Sequence, residues 1–329
     1  MRAGHPRMTG PFVGEHELRR LVPVGDAIRE VARVFAALTR GEVEQPLRMA
    51  LRDGSLLCMI ARCDGEDGAV AKLVSMVETN AGSGVPVVQG VAVWFDARGT
   101  PRLSIDGAAL TSVRTGAASG AATAAMALPG AHRLAVLGSG GQSWDQAEAV
   151  LAVRPIEEVR IASRNRATAE LLAERLRRSH RHLAVAVAGG TREAVRGADV
   201  VCCATPARSP LFEAGDLGKD VHINAIGAYR PDMCELAAEV LSRAACVAVD
   251  HLPAALAEAG DLIQAMATGQ LREADLVELG QVVSERRPPC GGWTVFKSVG
   301  VAAQDWAVAR LAYLRLLGEG GEIGKGEPG

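Results

Sequence analysis

The residues with the clearest chemical potential lie in "RLAVLGSGGQSWDQAEAVLAV", residues 133–153. A strand-like apolar segment runs into glycines at 138, 140 and 141 and then into a helical pattern. Gly138 can make the tight turn, and Gly140 lets the backbone approach a pyrophosphate, with Ser139 and Gly141 completing the loop. The helix opening near Gln142 aims unpaired N–H groups and the positive end of its dipole at phosphates. Ser143 stands where a dinucleotide fingerprint has its third small residue. Taken alone, such a GxGxxS run reads as a plain strand-to-helix turn. Its position after a strand, at the head of a helix and inside a βαβ unit makes it a dinucleotide site.

The end of the next strand bears on which dinucleotide. A site for NAD places Asp or Glu roughly 20 residues beyond the glycines to bind the ribose 2′-hydroxyl. Here the corresponding stretch is "IASRNRATAE", with Ser163, Arg164, Asn165 and Arg166 and no acid before Glu170. Hydroxyl, amide and guanidinium groups suit a 2′-phosphate, with Arg164 as its stacking or bidentate partner. NADPH is therefore favoured over NADH, against the alternative of a solvated, basic helix start.

Other chemistries find little support. The seven cysteines contain no CxxC pair, and Cys202 and Cys203 fall in an apolar run, so reduced thiols are expected. His180 and His182 flank an arginine in "RRSHRHL", which reads as a charged helix end, and no metal is expected. A net charge of -2 with 22% charged residues leaves no basic footprint for nucleic acid. The longest apolar runs, such as "AASGAATAAMAL", fall short of the roughly 20 residues a membrane span needs. The first residues, "MRAGHPRMTGPFVGEHELRR", have no apolar core of a signal peptide, and the cytoplasm is the expected compartment.

The elements that must position these residues follow from periodicity. "DAIREVARVFAAL" gathers Ile28, Val31, Phe35 and Leu38 on one helical stripe, with Asp26 as the expected N-cap. Strands are expected over 85–96 and 102–106. A long helix from about 108 to 128, dense in Ala and Gly, suits close packing against another backbone. Beyond "PGAH" strands and helices alternate, with strands at 133–137, 158–162, 183–187, 199–204, 221–226 and 246–250. Such alternation predicts a doubly wound parallel sheet. Residues 298–317 read as a helix packing back on the N-terminal part, followed by a low-complexity tail, "GEGGEIGKGEPG".

Several stretches together resemble the ornithine cyclodeaminase/mu-crystallin family. They are "AKLVSM", "DGAALTSVRTGAASGAAT", "GSGGQS" with its following helix, "ATPARSPLF", "HINAIGAYRPDMCEL" and "TVFKSVGVAAQDWA", spanning the chain from about residue 13 to 317. The resemblance implies an α/β fold: a Rossmann domain, residues 129–298, inserted into an α+β substrate-binding and dimerisation domain built from 1–128 and 299–329. It implies a homodimer. Members act with NAD(H) or NADP(H) on substrates bearing a carboxylate beside an amine or imine carbon.

Carried over motif by motif, Lys72 of "KLV", Arg114 of "TSVRT" and Arg48 of "PLRM" face the substrate carboxylate. An arginine fork can bind both its oxygens. A lysine clustered with two arginines would have its pKa lowered, which lets it also donate a proton. Thr205 and the segment Ile226, Gly227, Ala228 and Tyr229 line the cofactor, while Ser298 and Val299 close its nicotinamide end. Two departures matter. Tyr229 stands where ornithine cyclodeaminases carry an aspartate, and the GAxRPDxxEL form is similar to the ketimine-reducing, mu-crystallin-like branch. Tyr229 could donate a proton, shape the pocket or merely pack, with shaping ranked first. Val88 stands where many members carry His or Thr, which makes the pocket wall more apolar.

The reading that results is an NADPH-dependent reductase of a carboxylated, cyclic ketimine. An NAD-dependent ornithine cyclodeaminase, another amino-acid dehydrogenase or biosynthetic family member, and a non-catalytic NADPH-binding protein rank below it.

Overall fold

The computed structural model describes residues 10–80, 83–285 and 291–323. The first nine residues, Cys290 and the end of the low-complexity tail lie outside the described residues. The chain divides into two compact units. One runs to Arg114 and resumes at Val301; the other is Thr115–Gly300.

The first unit is built on a sheet. Its elements are β1 (Phe12–Val13), α1 (Glu15–Leu21), α2 (Val24–Thr39), β2 (Val43–Glu44), β3 (Met49–Ala50), β4 (Leu56–Cys63), β5 (Ala69–Met76), β6 (Val88–Phe95) and β7 (Pro101–Asp106). They are followed by the start of α3 (Gly107–Met126) and, at the end of the chain, by a helix over Ala302–Ile323. The strand order is β1-β7-β6-β5-β4-β2, with β3 also on β4, and every pairing except β1 with β7 is antiparallel. Period-two alternation buries Leu57, Met59, Ala61 and Cys63 of β4 and leaves Leu56 and Ile60 exposed. On β5 the same alternation puts Lys72 in the buried row, opposite Met59 and Ala92. Sequence periodicity did not predict β4 or β5. Lys72 interrupts the apolar row that would have marked β5.

The C-terminal helix packs on β4, β5, β6 and β7 and on α2. Its anchor is Trp306, whose ring lies 5.8 Å from that of Trp94 on β6 and whose Nε1 donates to the Gly68 carbonyl at 3.1 Å. Tyr313 stacks on the same Trp94 ring at 5.7 Å. Burying side chains of this size contributes about 1.5–3 kcal/mol each. Two expectations are corrected here. The helix containing Asp26 begins at Val24 with Pro23 as its N-cap residue, and Asp26 lies in the first turn, paired with Arg29 and Arg315. An acid is favoured anywhere in a first turn by the helix dipole, so its presence alone does not mark the cap. The C-terminal helix begins at Ala302, not at 298, because Gly300 takes a left-handed φ of 82°.

The second unit is a parallel α/β sheet. After the rest of α3 come β8 (Arg133–Leu137), α4 (Ser143–Leu151), β9 (Glu158–Ala162), α5 (Arg166–Ser179), β10 (Ala184–Val187), α6 (Thr191–Val195), β11 (Val200–Cys203) and β12 (Val221–Ala225). Then follow α7 (Ala238–Arg243), β13 (Cys246–Val249), α8 (Leu252–Glu258), α9 (Gly260–Ala267), β14 (Leu276–Glu278), α10 (Leu279–Glu285) and β15 (Trp293–Lys297). The order β10-β9-β8-β11-β12-β15-β13-β14 is parallel throughout, as the alternation predicted. From β8 the chain winds first outward through β9 and β10, then back to β11 on the other side. In sheets wound this way ligands bind beyond the carboxyl ends of the strands at the switch point, here β8 and β11. The small-residue helix α3 does pack closely: a Cβ on Gly116 would lie 2.6 Å from the Asp145 carbonyl of α4. Arg154 caps the end of α3 by donating to the carbonyls of Ala124, Ala127 and Leu128. Six free cysteines are described, four of them buried. No described helix is long and apolar enough to cross a membrane, and no metal-binding group of His, Cys, Asp or Glu occurs among the described residues.

Candidate active site

Two clusters carry chemistry, one in each unit. In the first unit, Lys72 Nζ lies 2.7 Å from Oδ1 of Asp305, in the opening turn of the C-terminal helix, and donates to Thr111 Oγ1 at 3.2 Å. Arg114 Nε is 3.3 Å from the same Asp305 oxygen, and its Nη1 donates to Gln304 Oε1. Lys72 and Asp305 are both fully enclosed, at 1% and 0% exposure. Burial pulls the Lys72 amine down to about 8; Asp305 opposes that shift, and Arg114 and Arg48 reinforce it. Arg48 is half-buried and immediately precedes β3, where the alternation puts it on the Lys72 face, next to the Met59 row. Val88 pairs with Met76 on that same face.

The structure brings two of the three motif-derived cations, Lys72 and Arg114, onto one anion, and Arg48 acts on Lys72 by its field. Asp305 and Gln304 were missed as site residues. Their signal was present in "VGVAAQDWA", as two polar residues heading an otherwise apolar helix. Oδ2 of Asp305 accepts no hydrogen bond among the described residues. With Lys72 and Arg114 sharing one oxygen of Asp305, a cationic cluster of this kind suits a small carboxylate.

In the second unit the glycine turn follows β8 at the switch point. Gly138 has φ of 109°, and a Cβ there would overlap the Ala204 carbonyl. No L side chain fits that backbone. At Gly140 and Gly141, by contrast, a Cβ would meet open space. Gln142 stands at the N-cap position of α4 without a side-chain capping bond, and its Oε1 and the Ser143 Oγ are buried with no hydrogen-bond partner among the described residues. Glycines with room over their Cα atoms at a helix N-terminus suit a pyrophosphate. Ser139 Oγ donates to Ser163 Oγ at 2.8 Å and contacts Thr168 Oγ1 at 2.6 Å, tying the glycine turn to the end of β9. Asn165 caps α5 by accepting from Thr168 N, and Arg166 pairs with Glu170 at 3.2 Å, so both side chains have structural partners. Arg164 is exposed beside them.

The remaining cofactor candidates rest on buried acids. Thr205 follows β11, and its hydroxyl and N–H both donate to Glu235. Ile226 is buried, while Gly227 and Ala228 present their N–H groups to the same Glu235. Tyr229 is half-buried beside Arg230, whose guanidinium lies 5.9 Å from its ring. Ser298 Oγ donates to Asp250 Oδ2 at 2.7 Å, which also accepts from Val299 N and Gly300 N. Sequence reasoning missed Glu235, Asp250 and Asp261. Nothing in a single sequence separates a buried acid from a solvated one.

A parallel sheet with a glycine turn at its switch point defines the second unit as a Rossmann-type dinucleotide-binding domain. The whole chain belongs to the ornithine cyclodeaminase/mu-crystallin family, whose model matches residues 13–320. A Delta(1)-pyrroline-2-carboxylate reductase of Bacillus cereus is 33% identical over 317 residues, 94% of this chain and 97% of that one. The ketimine reductase mu-crystallin of Mus musculus is 36% identical over 280 residues, 83% and 85% of the two chains. Among solved structures, the Delta(1)-pyrroline-2-carboxylate reductase of Thermococcus litoralis in complex with NADH and L-proline matches with a TM-score of 0.88 at 30% identity. That match covers 94% of this chain and 98% of the other.

The two kinds of glycine should separate experimentally. Gly138→Ala should lower the melting temperature, because its backbone and its neighbour both exclude a side chain. Gly140→Val should leave the melting temperature of the free protein within about a degree or two of wild type and weaken dinucleotide binding roughly tenfold or more. Differential scanning calorimetry and fluorescence titration with NADPH check both.

Proposed function

We propose that the protein reduces a carboxylated, cyclic ketimine to the corresponding amino acid, with NADPH as reductant. The observation that carries this reading is the convergence of Lys72 and Arg114 on one enclosed oxygen of Asp305, with Arg48 adding its field to Lys72. A dry cationic set of this kind suits a small carboxylate, and the arginine fork gives it two-point orientation. The relatives named for pyrroline-2-carboxylate and ketimine reduction support the same substrate class.

The roles follow from the geometry. Arg114 and Arg48 bind the carboxylate. Lys72, protonated at neutral pH yet softened to about 8, gives its Nζ proton to the imine nitrogen. The unpartnered Oδ2 of Asp305 suits the N–H that results. Bound NADPH supplies the hydride that the imine carbon accepts, so one hydride and one proton convert C=N to CH–NH. Gly138, Ser139, Gly140, Gly141 and Gln142 hold the pyrophosphate. Ser163 and Arg164 favour the 2′-phosphate; Asn165 and Arg166 shape that corner from α5 rather than reaching out from it. Thr205, Ile226, Gly227, Ala228, Ser298 and Val299 line the nicotinamide half and Tyr229 shapes that end of the second unit; in the first unit, Val88 makes the sheet face beside Lys72 more apolar.

The functional partner in assembly is a second copy of this chain. The outer face of the first unit's sheet exposes Met49 beside β4, Leu56 and Ile60 on β4, and Leu73 on β5, an apolar patch of the kind that dimers cover. The cytoplasm is the compartment this reading implies.

Incubation with NADPH and five- or six-membered cyclic 2-carboxy-imines should oxidise the cofactor and yield proline or pipecolate. No turnover with either ring contradicts the proposal. Because the acid form of Lys72 is the reactive one, kcat/KM for reduction should be flat at lower pH and fall as pH rises through about 8. Lys72→Met should abolish that limb along with most of the activity. Arg164→Ala should weaken NADPH by roughly tenfold and leave NADH nearly unchanged, as loss of one charged hydrogen-bonding partner implies. Leu73→Glu should convert a dimer to monomer in sedimentation velocity.

A further inference from the structure

The enclosed carboxylate of Glu235 has no part in the chemistry above, yet it touches two of the loops assigned to the cofactor. Its Oε1 accepts from Thr205 N at 2.7 Å and Thr205 Oγ1 at 2.8 Å, in the loop leaving β11. Its Oε2 accepts from Gly227 N at 2.7 Å and Ala228 N at 3.2 Å, in the loop leaving β12. One rigid carboxylate therefore spans the carboxyl ends of two adjacent parallel strands. The first of these loops touches the glycine turn as well, because Gly138 abuts Ala204 and Thr205. Gly227 has no room for a side chain, since a Cβ there would run into Thr205 and Glu235.

Glu235 is held in turn from behind. Its own N–H and that of Leu236 donate to Asp261 Oδ1 at 2.6 and 2.8 Å, and Asp261 Oδ2 pairs with Lys297 Nζ at 2.7 Å, at the end of β15. Glu235, Asp261 and Lys297 are all fully buried. A buried carboxylate is costly unless its oxygens are filled, and four donors from two loops fill them.

We propose that Glu235 is a positioning residue of the cofactor cradle, fixing the spacing between the Thr205 loop and the Gly227–Ala228 loop so that both meet the dinucleotide. The assignment rests on the reading of the second unit as the dinucleotide site. It also changes the part played by Thr205: the hydroxyl is committed to Glu235, so Thr205 serves the cofactor through its backbone.

Glu235→Gln keeps the shape and turns one oxygen into an NH2 that faces backbone N–H donors. Glu235→Asp keeps the charge opposite Lys297 but draws the oxygens back by about 1.5 Å, too short to hold both loops. The test is the NADPH and NADH dissociation constants by fluorescence titration, with the KM for a cyclic 2-carboxy-imine at saturating dinucleotide. Both variants should bind dinucleotide roughly tenfold more weakly and keep the imine KM. A purely structural role would lower the fraction of folded protein and leave the dissociation constant of that fraction untouched. If Glu235→Gln does not fold, Glu235→Asp carries the comparison. Unchanged dinucleotide affinity in a folded variant overturns the positioning role, whereas failure of the wild-type protein to bind either dinucleotide overturns the cofactor reading itself.

Discussion

Asp305 carries its charge where water does not reach, and the cationic cluster of the first unit depends on it. Two cations share one of its oxygens, and neither Lys72 nor Arg114 could be enclosed at that depth without an anion. Arg48 adds its field to Lys72 from the same sheet face. On the proposed reading this cluster receives the substrate carboxylate, and the amine of Lys72 is brought down to about 8 as a by-product of burial. Everything that holds the C-terminal helix on the sheet, Trp306 against Trp94 above all, serves to put Asp305 at that point.

The same constraint organises the second unit, with the roles reversed. There the buried acids sit behind the loops that the proposed reading gives to the cofactor. Glu235 gathers Thr205, Gly227 and Ala228, and Asp250 gathers Ser298, Val299 and Gly300. Loops at strand ends have few contacts of their own, and a carboxylate that takes several N–H groups at once gives them a fixed shape. Preorganisation of this kind lowers the cost of ordering a site when the ligand binds.

The parallel sheet was legible because each of its strands is a short apolar run separated by a helical pattern, and because Gly138 had to be glycine. Lys72, Arg48 and Arg114 were legible only through long motifs, since a lone lysine in a strand has no signature of burial. What the sequence hid were partners far along the chain. Asp305 lies 233 residues from Lys72, and Glu235 lies 30 from Thr205. Periodicity reports which side of an element faces inward, not which charge awaits it there. Local partners were hidden as well: Asn165 caps α5, Arg166 pairs with Glu170, and Asp26 pairs with Arg29 and Arg315 rather than capping its helix.

Asp305 raises the affinity of Lys72 for its proton, so its charge can be read out through the lysine. The decisive measurement is the pH profile of imine reduction by Asp305→Asn. With the anion gone, desolvation and the two arginines act on Lys72 unopposed, and the alkaline limb should move from about 8 to lower pH. A limb that stays in place, or moves upward, would contradict the assignment of Lys72 as the proton donor held by Asp305.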